Sequence, residues 1–429
     1  MRVRLDYGDS GVEAEFPDDR TTVIEPDYPS GVGEPSRALR AAIERPLGSS
    51  PLSAIVRPGQ KVAISVCDGT RPQPRALMLR ALFEAMPDVR PADIVILVAT
   101  GTHRANSDAE LRSMLGQEVV DHYRVVNHDA RDPRSQVHVG ETSSGVPIWL
   151  NRDWVEADVR ITTGFVEPHF FAGFSGGPKM VAPGLAGLLT TMVLHDARHI
   201  AHPDAKWGIT EGNPIHDDIR HIARMTGVQF AFDVTLNGEK QITAAFAGEL
   251  FAEHAKACER SRKEAMKAVK APFDVVVTTN SGFPLDQNLY QTVKGISAAA
   301  QIVKTGGVIL CASECRDGLP DHGAYAELLQ SRASPDELLQ MVSEPGFSVA
   351  DQWQVQVQSQ IQKRARVMVK TSFLTPSEIR AAHFEPFDDV TEEAQRALDE
   401  AGESARLCVL PRGPQTIPYV AADDVTRVL

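Results

Sequence analysis

The sequence predicts an α/β protein: two α/β domains with mostly parallel, helix-covered sheets. Three observations predict it. Short runs rich in Val, Ile and Leu recur along the chain, too continuous in apolar character to leave one face in water. Each run ends on a cluster of polar residues and glycine. Helix-forming stretches separate the runs, as crossovers between parallel strands require.

The elements follow in order. KVAISVCD (61–68) reads as a buried strand ending on Asp68-Gly69-Thr70-Arg71-Pro72, and the helix ALMLRALFEAM comes next. DIVILVATGTHR (93–104) repeats the plan, with Gly101-Thr102-His103-Arg104 as its tip and Asn106-Ser107-Asp108 opening a helix. VEADVRITTGFVEPH (155–169) is the third such unit, FDVVVTTNSGFPLDQNLYQTVKG (273–295) the fourth and GGVILCASECRDG (306–318) the fifth. RARVMVKTS (364–372) and SARLCVLPRG (404–413) are later strands of the same kind. The stretch 250–272 is a charged helix ending in Ala-Pro, placed as the connector between domains. We therefore expect an N-terminal domain over 1–270 and a smaller C-terminal one over 271–429, its last segment returning to the first.

Composition limits the function classes. The 429 residues can form two or three domains with large cores. A net charge of −13, from 44 basic and 57 acidic residues, disfavours nucleic acid as a partner but allows a local basic pocket for a small acid. Five scattered cysteines, Cys67, Cys258, Cys311, Cys315 and Cys408, suit a reducing cytoplasm better than a disulfide framework. No signal peptide is recognised at MRVRLDYGDS, and no apolar run approaches membrane-spanning length.

The most informative stretch is 164–195, GFVEPHFFAGFSGGPKMVAPGLAGLLTTMVLH. It carries His169, Lys179 and His195 in a run otherwise almost free of charge. A strand leads into it, and a helix with His195 near its end leads out. Between them, Ser175-Gly176-Gly177-Pro178-Lys179 offers small residues and backbone N–H groups that an anionic ligand could approach. The bland reading is a simple turn, since Pro178 removes a donor and the spacing is not that of a P-loop. His195 and His199 are i,i+4 and could share a helix face as metal ligands, but they lack the Glu of a zinc-protease helix.

Carboxyl-terminal tips are where α/β sheets bind ligands. Here they carry Asp68, Thr70 and Arg71; His103 and Arg104; His169 and Lys179; His195; then Tyr290, Gln291 and Lys294. Converging Arg and Lys suit a carboxylate or phosphate, and histidines suit proton exchange near neutral pH or a metal.

These pieces, with Pro168-His169, Ala172-Gly173-x-Ser175-Gly176-Gly177-x-Lys179, Tyr290-Gln291-x-x-Lys294 and Trp353, resemble the nickel-pincer nucleotide-dependent lactate racemase family. The resemblance runs in order over about residues 60 to 355. It implies a site in the cleft between two α/β domains. It also implies a 2-hydroxy-acid racemase or epimerase whose cofactor is a pyridinium nucleotide with two sulfur-bearing arms gripping nickel. By that resemblance Lys179 is the covalent attachment point, His195 the nickel ligand, and His103 and His169 the paired catalytic bases. Arg71, Gln291 and Lys294 would hold the substrate carboxylate, with Tyr290 and Trp353 lining the pocket. Asp68, Thr70, Ser175, Gly176 and Gly177 would serve the cofactor. The implied substrate is lactate or another short aliphatic 2-hydroxy acid, and the implied partners are cofactor-making proteins. Two other readings stay open: a metal-dependent hydrolase or lyase using His195 with His199 or His202, and a non-catalytic cofactor-binding protein of the same fold.

Overall fold

The computed structural model describes residues 1–320 and 323–421. It divides into two compact α/β units. One comprises Tyr28–His195 and Gly208–Glu264; the other comprises Met1–Asp27, Asp196–Trp207 and the chain from Ala265 onward.

In the N-terminal unit the sheet order is Ile242–Gly248, Phe230–Leu236, Val159–Phe165, Val62–Cys67, Ile94–Ala99, Arg124–Asn127. All neighbours are parallel except the first pair. The chain starts at Val62–Cys67, winds outward to Arg124–Asn127, then returns to lay Val159–Phe165 on the other side of the starting strand. The order therefore reverses between Val62–Cys67 and Val159–Phe165, and a crevice opens beyond the carboxyl ends of strands at such a reversal. Every residue of Val62–Cys67 is buried, as its unbroken apolar character predicted. Helix Asp108–Leu115 starts where expected, closed by a reciprocal Ser107–Glu110 cap.

The C-terminal unit has a second six-stranded sheet: Glu385–Pro386, Arg366–Lys370, Val303–Ala312, Phe273–Thr279, Leu407–Leu410, Thr21–Val23. All its pairs are parallel. Its reversal lies between Phe273–Thr279 and Leu407–Leu410, and helix Leu289–Ala300 begins just past the tip of the former.

The predicted fold class holds, but the units are divided differently from the expected 1–270 and 271–429. Thr21–Val23 pairs with Leu407–Val409, and Leu5, Tyr7, Ala14 and Phe16 are buried with Val275, Val277 and Leu407. These pairings put the first 27 residues in the C-terminal unit. The closing strand Ile417–Val420 pairs with Met266–Val269 in the same unit rather than returning to the N-terminal one. Residues 422–429 lie outside the described residues. All five cysteines are free thiols. Among the described residues no helix is long and apolar enough to cross a membrane.

Candidate active site

The first tip is held by a buried scaffold. Arg75 donates to the carbonyls of Cys67 (2.7 Å), Arg71 (2.7 Å) and Asp68, so the chain must curl over its guanidinium. Gln73 accepts from Cys67 N and donates to Thr163 Oγ1, both at 2.8 Å, which ties this tip to the neighbouring strand. Gly69 N donates to Asn106 Oδ1 at 2.8 Å and ties it to the segment after His103.

On this scaffold Asp68 is buried, only 3% exposed, and its Oδ2 accepts from His103 Nδ1 at 2.8 Å. Its Oδ1 accepts from Thr70 Oγ1 at 2.7 Å, and Thr70 Oγ1 accepts from Arg71 Nη1 at 3.0 Å. Burial would raise the Asp68 carboxyl, but the bonds from His103 and Thr70 and the charge of Arg71 outweigh it and hold it below the usual carboxylate range. A carboxylate only accepts, so His103 carries its proton on Nδ1 and turns the lone pair on Nε2 outward from a half-exposed ring. Asp68 was expected to bind the cofactor. Both its oxygens are engaged within the protein, one by His103 and one by Thr70, and almost none of its surface is exposed.

The second tip joins the first. Cys67 Sγ lies 3.6 Å from Met180 Sδ, and Gly101 N donates to the Gly184 carbonyl at 3.0 Å. The strand ends before Asp68 and His103 thus pack on the segment that carries Lys179. Lys179 is half-buried in a 3-10 turn, Gly177–Met180. His169 sits on a two-residue hairpin, paired with Gly173, and Ala172 N donates to its Nδ1 at 3.3 Å. Phe171 lies between His169 and His195, edge-on to both, at 4.6 Å and 5.1 Å between ring centres.

His195 caps helix Leu188–Leu194, as the sequence suggested. Its Nδ1 donates to the Thr191 carbonyl at 2.7 Å, which fixes the tautomer with the proton on Nδ1. The idea that His195 and His199 share a helix face fails. The helix ends at Leu194, and His199 lies on a separate short helix, Ala197–Ile200, bonded to Asp196 Oδ1 at 2.7 Å. Among the described residues no group of three or more His, Cys, Asp or Glu converges as a metal cluster.

The cradle read at Ser175, Gly176 and Gly177 faces inward. Ser175 Oγ donates to the Phe165 carbonyl and accepts from Glu167 N, both at 2.9 Å. Gly177 N donates to Asp233 Oδ2 at 2.7 Å. The glycines are needed because a Cβ at Gly176 would lie 2.9 Å from Asp233 Oδ2, and one at Gly177 would lie 2.5 Å from the His254 ring. The Ser175 hydroxyl and the Gly177 amide thus bond within the protein.

The C-terminal unit groups the other four residues. Helix Leu289–Ala300 is capped by Asn288, which accepts from Gln291 N at 3.0 Å. Nine of its 12 residues are buried, and the remaining three are Tyr290, Gln291 and Lys294. Trp353 Nε1 donates to Tyr290 Oη at 3.2 Å, and Gln354 Nε2 donates to the Tyr290 carbonyl at 2.6 Å.

Sequence reasoning missed Arg75, Gln73, Asp233, Glu253 and His254. Asp233 had a signal: a lone acid inside the apolar strand Phe230–Leu236. Glu253 and His254 had none, because they sit in a helix rich in charge.

Known proteins bear on this geometry. The lactate racemase N-terminal domain model matches residues 7–208, and the lactate racemase C-terminal domain model matches residues 267–417. A lactate racemase from Thermoanaerobacterium thermosaccharolyticum is 32% identical over 97% of this chain and 98% of its own length. Another, from Lactiplantibacillus plantarum, is 35% identical over 87% of this chain and 89% of its own. The solved structure of the Thermoanaerobacterium lactate racemase apoprotein superposes with a TM-score of 0.90, at 30% identity, over 97% of this chain and 100% of that one. A Thermotoga maritima protein, 19% identical, shares the fold at a TM-score of 0.65, over 90% of this chain and 97% of that one. With both domain models matched in order and relatives aligned over nearly the whole chain, this protein belongs to the lactate racemase family.

Proposed function

We propose that this isomerase inverts C2 of lactate or another short aliphatic 2-hydroxy acid, using a nickel-pincer nucleotide attached at Lys179 with nickel on His195 Nε2. The observation that carries the reading is the Asp68–His103 pair, a buried carboxylate holding an imidazole with its basic nitrogen turned outward at a sheet reversal. The donor set fits the cofactor: a half-buried lysine on a rigid turn, and a histidine whose tautomer is fixed for metal binding. When bound, the nickel-pincer nucleotide supplies a hydride acceptor, which no side chain can provide.

The residues do the rest. His103 Nε2 takes the hydroxyl proton as C2 loses hydride, and Asp68 stabilises the resulting imidazolium. His169 accepts from the Ala172 amide on Nδ1, which fixes the orientation of its ring. In each turnover one imidazole, neutral, takes the hydroxyl proton and the other, as an imidazolium, returns a proton to the reduced oxygen, so the pair shares one extra proton whose place reverses with direction. The planar 2-keto acid is inverted when it is reduced on its opposite face. Arg71, Gln291 and Lys294 bind the carboxylate, with Tyr290 and Trp353 as neighbouring apolar surface. Thr70, exposed and bonded to both Asp68 and Arg71, would meet the cofactor beside them. Cofactor-making proteins are the required partners, and five free thiols fit a reducing cytoplasm.

The test is expression with cofactor-making machinery, then incubation with L-lactate. Chiral chromatography should show D-lactate rising toward parity. Intact mass should show an adduct that Lys179→Ala lacks. Nickel content should collapse in His195→Ala and survive in His199→Ala. Bound zinc with no adduct would favour a hydrolase; an adduct with no inversion of any 2-hydroxy acid would favour a cofactor-handling protein.

A further inference from the structure

Beneath the Lys179 turn lies a set of buried groups that the chemistry above does not use. Asp233, on strand Phe230–Leu236, is fully buried, and its Oδ2 accepts from Gly177 N at 2.7 Å. Two glycines leave room for this carboxyl, and a third, Gly177, makes room for the His254 ring beside it. A Cβ at Gly164 would lie 2.8 Å from Oδ1, one at Gly176 would lie 2.9 Å from Oδ2, and Gly177 adopts φ 47°. One residue pair away, His254 Nε2 donates to the Ser175 carbonyl at 2.9 Å. The loop is therefore pinned twice from below, by its Ser175 carbonyl and its Gly177 amide. The turn that follows closes through Lys179 N to the Gly176 carbonyl at 3.0 Å.

The carboxyl is costly where it sits. Asp233 Oδ1 and both oxygens of the neighbouring buried Glu253 find no hydrogen-bond partner among the described residues. Burial pushes Asp233 up to about 7 and Glu253 well above its ordinary value. Burial likewise holds His254 down at about 4, so its ring is neutral and donates from Nε2. An apolar residue would cost less in this strand unless the acceptor were needed by the loop.

We propose that Asp233 is a positioning residue for Lys179: its carboxyl, seated in the slot left by Gly164 and Gly176 and bonded to the Gly177 amide, fixes the turn from which the lysine amine meets the cofactor. This rests on Lys179 being the attachment lysine. A buried acid elsewhere in a strand would affect stability alone; this one also sets how fast Lys179 is loaded.

The test uses full-length protein produced with cofactor-making machinery, in the wild type, Asp233→Asn and Asp233→Leu. Asn keeps an oxygen acceptor, and Leu keeps the volume without one. Three quantities are read: the rate of mass gain at Lys179, thermal unfolding, and amide exchange over residues 176–180. Asn should load within about threefold of wild type, and Leu at least tenfold more slowly. Leu should also lose protection at Gly177 while remaining folded. If Leu does not fold, Asp233→Ala is read in its place. Wild-type loading in a folded Leu or Ala variant, or an Asn variant as slow as Leu, would overturn the proposal. A wild type that gains no mass at Lys179 would overturn the attachment reading instead, and amide exchange would still decide whether Asp233 holds the turn.

Discussion

At the scale of single residues, the Asp68–His103 bond decides which imidazole nitrogen can act as a base. Asp68→Asn leaves an amide that can still meet His103 Nδ1 but can no longer stabilise a positive ring. A general base contributes about 100- to 10,000-fold, so kcat should fall by about 100-fold in Asp68→Asn with KM little changed. Steady-state kinetics in both directions check this; a pure KM effect would place Asp68 with the substrate instead. A second prediction concerns Asp233, whose folded-state value near 7 lies above its unfolded one. Between roughly pH 4 and 7 the folded protein holds a proton that the unfolded chain lacks, so stability falls as pH rises through that window. Asp233→Asn should remove this slope and gain on the wild type by up to about 4 kcal/mol between pH 4 and 8, a ceiling because Glu253 and His254 titrate alongside. Denaturant unfolding at several pH values reads it, and a gap that shrinks with rising pH would refute it. The candidate residues that the sequence offered lie on strand tips, as Arg71 and His103 do, or on the loop and helix that follow the third strand, as His169, Lys179 and His195 do. Their supports were not legible. Arg75 and Asp233 act through partners far along the chain, at the tip carbonyls and at Gly177, and nothing in their local sequence names those partners.

At the scale of elements, helix Leu289–Ala300 shows how tight packing leaves a few residues for chemistry. Its buried side presses on the end of strand Phe273–Thr279, where a Cβ on Gly295 would overlap the Thr279 carbonyl oxygen. Gly295→Ala should therefore destabilise the C-terminal unit by about 1–3 kcal/mol, read as a lowered Tm. Lys294→Ala, one residue away on the half-exposed side, should leave Tm within a degree or two. It should instead lower kcat/KM by about 10- to 100-fold, mainly through KM, as expected for a lost charged hydrogen bond to a carboxylate. If both variants lost stability alike, Lys294 would be a packing residue. The strands read correctly from sequence were continuous apolar runs with polar ends. Those missed carry weaker signals. Phe230–Leu236 is broken by an acid, Ile242–Gly248 has three alanines and a glycine among its seven residues and turns back antiparallel, and Thr21–Val23 has only three residues.

At the scale of the whole molecule, chain order and structural unit part company. A continuous sequence match carries residues 7–208 as one domain, yet residues before Tyr28 fold with the C-terminal sheet. The pairing of Thr21–Val23 with Leu407–Val409 spans most of the chain, and parallel pairing at that distance leaves no local pattern to read. Its energetic weight is nonetheless large. Leu5, Tyr7, Ala14 and Phe16 are all buried in the C-terminal core, and Gly8 N donates to the buried Asp286 Oδ2 at 2.8 Å. At about 1.5–3 kcal/mol for each large side chain, the segment contributes at least about 5 kcal/mol, comparable to the net stability of a domain. A variant lacking residues 1–27 should therefore lose the C-terminal unit while keeping the N-terminal one. Limited proteolysis with mass spectrometry should leave a resistant core beginning near Tyr28 and ending near Glu264, with residues beyond Ala265 digested. Resistance of both units after truncation would mean that the first 27 residues are an appendage. Selective loss of the C-terminal unit would mean that Gln291 and Lys294 depend on the first residues of the chain, which no motif around them discloses.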